Sequence, residues 1–167
     1  MAKSKAKSNK GGIKEPITSG IVASNRRASH KYEFLEKIEC GIQLRGSEVK
    51  SLRQGAAQLA DAYASVDRGE VWLHNMHIPH YAPAAGENHP PERSRKLLLH
   101  RRQIEKLVGQ TAEKGLTLVP TKVYFSGRTA KVELAVARGK QLHDKRRDIK
   151  EREMKREMER AAGTRRR

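Results

Sequence analysis

Eight consecutive residues, Gly139-Lys140-Gln141-Leu142-His143-Asp144-Lys145-Arg146, gather two lysines, an arginine, a histidine and an aspartate. Such a run can hold phosphates, and His143-Asp144-Lys145 could also be written as a general-base constellation. Adjacent residues rarely converge on one reacting atom, and no second catalytic cluster supports catalysis, so binding is the better reading. His143 is either a solvated histidine at a domain edge or a ring that stacks on an unpaired nucleobase. The flanking cations favour stacking. His74-x-x-His77-x-x-His80 is the one cluster with any metal-ligand look. On a strand, residues three apart point to opposite faces, and Pro79 argues against a helix there, so no metal site is expected. No phosphate-cradling glycine loop, nucleophile elbow or HExxH motif is present, and no cofactor is expected.

The chain has 167 residues, with 36 Lys and Arg against 19 Asp and Glu, for a net charge of +17. That excess implies a polyanionic partner, nucleic acid or an anionic membrane. A membrane is disfavoured, because no apolar run approaches the roughly 18 residues of a spanning helix. The Lys- and Ser-rich start has no apolar region of the kind a signal peptide needs. Cys40 is the single cysteine, which excludes an internal disulfide and fits a reducing cytoplasm. Aromatic residues are only 4 %, so the core must be built from Leu, Val, Ile and Ala.

Three regions must position these groups. Residues 1–19 carry Lys3, Lys5, Lys7, Lys10 and Lys14 without periodicity. They read as a flexible arm, either merely solubilising, the simpler reading, or a non-specific phosphate binder. Residues 20–140 read as a folded body, and residues 141–167 as a basic tail. In the body, apolar alternation from Tyr32 to Leu44 predicts a strand with one wet face, and Gly41 marks a bulge or a close backbone approach. A short helix should begin at Ser47, its N-cap, and stop at Gly55. Val49 and Leu52 would face the core, while Lys50 and Arg53 form a basic ridge or simply a solvated face. Ala62 to Val66 and Val71 to Ile78 should pair across Asp67-Arg68-Gly69. Pro79 to Glu92 reads as a loop. A helix from Arg101 to Lys114 carries the stripe Ile104, Leu107, Val108 and Ala112. Leu116 to Phe125 and Thr129 to Ala137 complete a second hairpin. The expected fold is mainly β, an OB-like antiparallel barrel with two or three short helices and basic tails disordered in the free chain. In the tail, Asp148/Arg152 and Glu151/Lys155 are acid-to-base i,i+4 pairs. They are too weak to hold a helix alone, so the tail should become helical only when bound.

Five runs occur together in one order: Asn25-Arg26-Arg27-Ala28-x-His30-x-Tyr32, Glu39-x-Gly41-Ile42, Gly46-Ser47-Glu48-Val49-Lys50-Ser51-Leu52-Arg53, Arg93-x-Arg95-Lys96-Leu97-Leu98-Leu99 and Gly139-Lys140-x-x-His143-Asp144-Lys145-Arg146. In these the chain resembles the small protein B family, the bacterial SsrA-binding proteins, from Asn25 to about Glu153. The resemblance implies an OB-fold barrel that binds the tRNA-like domain of transfer-messenger RNA and takes part in trans-translation, the rescue of stalled ribosomes. It implies no enzyme activity. The implied partners are that RNA, small-subunit rRNA near the decoding centre, and elongation factor Tu indirectly through the charged RNA.

Glu39, Leu98 and Lys131 stand at positions that the family associates with RNA binding. Glu39 would orient a neighbouring cation or accept from a base amine. Leu98 would offer an apolar contact or support the site from the core. Arg26, Arg27, Lys50, Arg53, Arg95 and Lys96 are the candidate phosphate contacts, with Asn25, His30 and Tyr32 beside them. Asp144 to Arg146 would lie near the decoding centre, with Gly139, Lys140 and His143 leading in. Ile149, Lys150, Arg152, Met154 and Lys155 would follow into the empty mRNA channel. Ser47, Cys40 and Ser126-Gly127 depart from the usual family residues. Two other functions share the basic composition: a constitutive ribosomal protein, which should survive high-salt washes, and an RNA-processing enzyme, which should alter RNA without a ribosome.

Overall fold

The structure is a computed structural model. It describes residues 17, 19–84, 86, 88–112, 115–141, 153–154 and 157–158. Strand β1 (Gly20–Ser24) and the single turn α1 (Ala28–Lys31) precede the long strand β2 (Tyr32–Ile42). Helix α2 (Gly46–Arg53) leads to the hairpin β3 (Tyr63–Asp67) and β4 (Glu70–His74). Strand β5 (Arg95–Leu98), helix α3 (Arg101–Ala112) and the hairpin β6 (Leu116–Ser126) and β7 (Thr129–Gly139) follow. A one-turn 3-10 helix, Ala82–Ala84, lies in the proline-rich loop.

All the strand pairings are antiparallel, and they run β1-β6-β3-β4-β5-β2-β7 with β7 also paired to β6. That last pairing returns the ladder to β6 and closes it, with β1 laid against β6. Closure follows from β6 and β2 each being 11 residues long. Each pairs with β7 along one edge; along the other, β6 meets β1 and β3, and β2 meets β5. The Asp67–Glu70 turn is tight, with positive φ at Arg68 (50°) and Gly69 (76°), as a hairpin with the strand's right-handed twist requires.

The core inside the barrel is aliphatic, as the shortage of aromatics demanded. Leu52, Leu73, Ile78, Leu97, Leu107, Leu118 and Leu134 are essentially fully buried, and Phe125 is the one phenyl ring among them. Each such side chain contributes about 1.5–3 kcal/mol of burial. A smaller cluster of Ala28, Val119 and Ala137 lies on the outer side of β6 and β7, under Tyr32 and Phe34. It is why Ala137 is buried although Leu134 and Val136 face the other way.

Several expectations change in detail. The expected strand to Leu44 ends at Ile42, and the one to Ile78 ends at His74, leaving a lone bridge between His77 and Gln58. The bulge in β2 falls between Phe34 and Glu36, not at Gly41. Gly41 is instead the close approach: a Cβ there would come 3.3 Å from the Leu98 Cβ. The N-cap of α2 is Arg45 rather than Ser47. The third helical residue is Glu48, whose carboxylate accepts the Arg45 N–H at 2.6 Å, and that bond fixes the start. Val108 of the expected α3 stripe is 46 % exposed, because only Leu107 reaches the core fully.

Candidate nucleic-acid interface

The sequence places Glu39, Leu98 and Lys131 on three different strands, and the register brings them together. Gly41 of β2 lies opposite both Leu98 of β5 and Lys131 of β7. Lys131 Nζ and the Tyr124 hydroxyl each donate to the Glu39 carboxylate. These two bonds, Lys131 first, hold the Glu39 carboxyl below its ordinary range, and the same contact with Glu39 pushes the Tyr124 phenol up to about 12. Leu98 points outward and is 52 % exposed, so it offers an apolar contact and does not support the site from the core. Beside these groups lies an open groove of about 700 Å³, walled on the far side by His100 and Gln103. Gln103 Oε1 accepts the His100 N–H at the start of α3. Glu36 anchors α3 to β2 by accepting from Lys106 Nζ (2.5 Å) and Gln110 Nε2 (3.0 Å), which hold its carboxyl low. The groove thus combines a fixed carboxylate, a cation, an exposed leucine and the polar start of a helix. It can accept from a base amine, neutralise a phosphate and pack against a sugar or base.

Tyr124 is the member that the residue pattern alone did not single out. Its signal was the hairpin register, since counting back from Gly127-Arg128 sets Tyr124 opposite Lys131. Cys40 lies on the groove floor, but its thiol donates to Val132 O (3.2 Å), and burial pushes it up to about 12, so it is unreactive.

Arg95 is a correction. Its guanidinium is completely buried and donates to Glu48 Oε1, Met76 O, Arg93 O and Pro91 O, so it is not available to phosphate. Glu48, equally buried, also accepts from Arg93 at 2.5 Å. Burial opposes ionisation of Glu48, but Arg93, the Arg45 N–H and the charge of Arg95 together hold its carboxyl below the ordinary range. Ser51 Oγ donates to Pro79 O (2.8 Å), and Ser47 Oγ lies 3.0 Å from His89 Nδ1. The third and fourth sequence runs are therefore locked to each other through α2 and the proline-rich loop. Their signal was readable: Glu48 stands one helical turn before Leu52 and shares its inward face.

Asn25 is the second correction. Its side chain is buried, donating to Leu59 O (2.8 Å) and accepting the Ala28 N–H (3.1 Å), so it shapes the α1 turn and does not face a ligand. Thr121, at the bulge after Pro120, receives the Asn25 N–H on its carbonyl. Arg53 is half-buried with its guanidinium over the Phe125 ring, so only Lys50 of the expected ridge is exposed, over Tyr81. Lys96 is ion-paired to Glu70 and partly exposed. Arg26, Arg27 and His30 are exposed on the α1 turn, and Tyr32 is half-buried behind it.

The junction starts from that same turn: Lys140 N donates to Lys31 O (2.9 Å) and Lys140 Nζ to Ser29 O (3.0 Å). Gly139, the last residue of β7, is opposite Tyr32. His143, Asp144, Lys145, Arg146, Ile149, Lys150, Arg152 and Lys155 lie outside the described residues, as does residues 1–16 of the arm. In the tail, Glu153, Met154, Glu157 and Met158 have helical backbone, with both methionines exposed.

Of the histidine triple, His74 is bonded between Ser65 (2.9 Å) and Ser94 (2.8 Å), and His80 meets His89 edge to face. Among the described residues no group of three or more His, Cys, Asp or Glu is arranged to hold a metal ion. No described helix is long and apolar enough to cross a membrane.

A closed, basic, antiparallel barrel with its polar groove on the strand faces is a small OB-like barrel. The model of the SmpB protein family matches residues 22–164, and the chain belongs to that family. A protein of Mycobacterium sp. (strain KMS) called SsrA-binding protein is 54 % identical over 159 residues, 95 % of each chain. The SsrA-binding protein of Mycobacterium leprae (strain TN) is 57 % identical over 145 residues, 87 % of this chain and 91 % of its own. A solved structure described as "tmRNA-SmpB: a journey to the center of the bacterial ribosome" contains a chain 48 % identical, with a TM-score of 0.62, covering 72 % of this chain and 85 % of that one.

Proposed function

We propose that this chain binds the tRNA-like domain of transfer-messenger RNA, the SsrA RNA, and delivers it to stalled ribosomes for trans-translation. The observation that carries this reading is the meeting of Glu39, Lys131 and Leu98 at one groove, with Tyr124 bonded to Glu39, in a chain whose relatives are SsrA-binding proteins. In this role the groove grips RNA without catalysing a reaction. Elongation factor Tu is reached only through the charged RNA, and the work is done in the bacterial cytoplasm. Residues 20–140 form the RNA-binding body. Residues 141–167 enter the decoding centre and the empty mRNA channel, where His143 stacks on rRNA and the cations from Lys145 to Lys155 follow the negative potential of the channel. Residues 1–19 are a basic flexible arm that serves solubility.

The test separates body from tail. The chain truncated after Lys140 should bind transfer-messenger RNA as the full chain does, because the contacts that close the barrel end at Lys140. It should fail to support peptidyl transfer to that RNA on stalled ribosomes. Loss of RNA binding on truncation would overturn the division, and preference for another RNA during co-purification would overturn the assignment itself.

A further inference from the structure

Beyond the end of α2 lies a depression of about 320 Å³, lined by Gln58, Asp61, Asn75, His77 and Glu92. Its floor is fixed by paired main-chain bonds, Gln58 N to His77 O at 2.9 Å and His77 N to Gln58 O at 3.1 Å. Asp61 and Glu92 are exposed, and no salt bridge among the described residues involves either carboxylate. Two unpaired acids lining one depression stand out in a chain of net charge +17. His77 adds an independent sign. Its Nδ1 is shielded from solvent and has no hydrogen-bond partner among the described residues. A buried ring nitrogen in that state costs free energy until a partner reaches it.

Two carboxylates and a ring nitrogen call for a group with positive charge and several donors. No group of described His, Cys, Asp or Glu residues is arranged to hold a metal ion, so the fit is an organic cation. A lysine ammonium has three donors and no acceptor, and can serve Asp61, Glu92 and His77 together. One source of such a group is covalently attached. Ile17 N donates to Arg53 O (2.7 Å) at the end of α2, and Ile17 Cδ1 would lie 3.4 Å from a Cβ on Gly55. Residues 1–16, with Lys3, Lys5, Lys7, Lys10 and Lys14, therefore join the body beside the segment that runs on to Gln58. Gln58 is at most about 17 Å along the chain from Arg53, and Lys10 can extend roughly 23 Å from Ile17. Tethering gives such a lysine an effective concentration of about millimolar, so a weak contact suffices to populate the bound state.

We propose that this depression is a docking site for the chain's own basic arm, and that it holds the Lys10 ammonium between Asp61, Glu92 and His77 when no polyanion is bound. Beyond its part in solubility, the arm then has a resting place on the body. The contact is an electrostatic latch: it occupies one arm cation and keeps the neighbouring lysines near an acidic surface. A polyanion competes for the same cations and opens it.

The test is paramagnetic broadening in the full-length, isotope-labelled chain carrying Ser8→Cys with a nitroxide. Cys40 is buried and its thiol is pushed up to about 12, so the label goes to position 8 alone. At low salt the amides of Gln58, Asn75, His77 and Glu92 should be broadened. The broadening should vanish at about 1 M salt, where the Debye length is about 3 Å. It should also vanish at low salt in the double variant Asp61→Asn, Glu92→Gln, and in Lys10→Gln. Glu105→Gln, which removes an exposed acid on α3, should leave it intact. Broadening that survives the double variant, or that never reaches these four amides, would overturn the docking site. Broadening unaffected by Lys10→Gln would overturn the occupant. The sample contains no transfer-messenger RNA, so the outcome is independent of the function proposed for the Glu39 groove.

Discussion

Glu48 accepts from Arg93, Arg95 and the Arg45 main chain; Glu39 accepts from Lys131 and Tyr124. Both carboxyls are held below their ordinary range. They differ in solvent access: the Glu48 side chain is wholly buried, while that of Glu39 is 52 % exposed and its lysine partner 31 %. A buried pair cannot exchange its partners for a ligand without exposing charge in a dry interior. An exposed pair can trade one partner for a base amine or a phosphate at little cost. Two carboxylates of similar chemistry therefore have different roles, one fastening α2 to the loop before β5 and one presenting a groove.

The largest break in that comparison is Glu48→Ala. It leaves Arg95 charged and unpaired in the core, which should cost about 3–5 kcal/mol of stability. Urea denaturation followed by circular dichroism measures it directly. Glu39→Ala should hardly move the urea midpoint in the same experiment, because solvent screens that carboxylate, while weakening RNA binding. Equal destabilisation by the two substitutions would erase the distinction between fastening and presenting.

Acid sharpens the same contrast. Burial works against Glu48 ionisation, yet its arginine partners lower its folded carboxyl below 4.5, so the unfolded chain takes up the proton first as pH falls. Its contribution is present above the unfolded value and is lost as pH drops through the folded one. The urea midpoint of the wild type should fall below about pH 4.5, and Glu48→Gln should remove part of that dependence. Glu39→Gln should leave the acid limb of the curve nearly unchanged, since solvent screens that carboxylate.

Much of this fold was legible because it rests on local rules. Period-two alternation marked β2, β3 and β7, Arg68-Gly69 marked a hairpin, and Gly55 ended α2. β1 and α1 were not legible, because both depend on partners distant in sequence: Thr121 O for the Asn25 N–H, and Leu59 O for the Asn25 side chain. Arg95 misled for a related reason. An arginine next to Lys96 in a basic run reads as a phosphate contact, and only the buried Glu48, 47 residues earlier, reveals its role. Glu39, Leu98 and Lys131 came from family resemblance and not from any pattern in the residues. What the register adds is their convergence at Gly41, with Tyr124 as a fourth member.

Lys131→Ala takes the comparison to the ligand. If the groove grips phosphate through this lysine, affinity for transfer-messenger RNA should fall and the slope of log K against log salt should shrink by roughly 0.7–0.9. Arg95→Lys, by contrast, should lower stability and leave the slope of the folded fraction unchanged. A loss of slope in Arg95→Lys at a temperature where it is fully folded would return that residue to the interface.

The smallest effect expected is that of Tyr124→Phe. The phenol carries no charge at neutral pH and touches Glu39 rather than any cation, so its removal takes no phosphate contact from the groove. What it removes is one of the two donors that orient the carboxylate, about 0.5–1.5 kcal/mol of preorganisation and hence a several-fold loss of RNA affinity with the salt slope intact. Stability should hardly change, because the ring keeps its place on β6. The phenol titration reports the same bond. With Glu39 as its acceptor, Tyr124 ionises near 12 instead of 10.0, so the bond is whole below the unfolded value and is lost as pH climbs through the folded one. Ultraviolet difference titration of Glu39→Gln should bring one tyrosine back toward 10.0. A changed salt slope in Tyr124→Phe would instead mean that the hydroxyl controls where Lys131 points, and that the exposed pair is held as rigidly as the buried one.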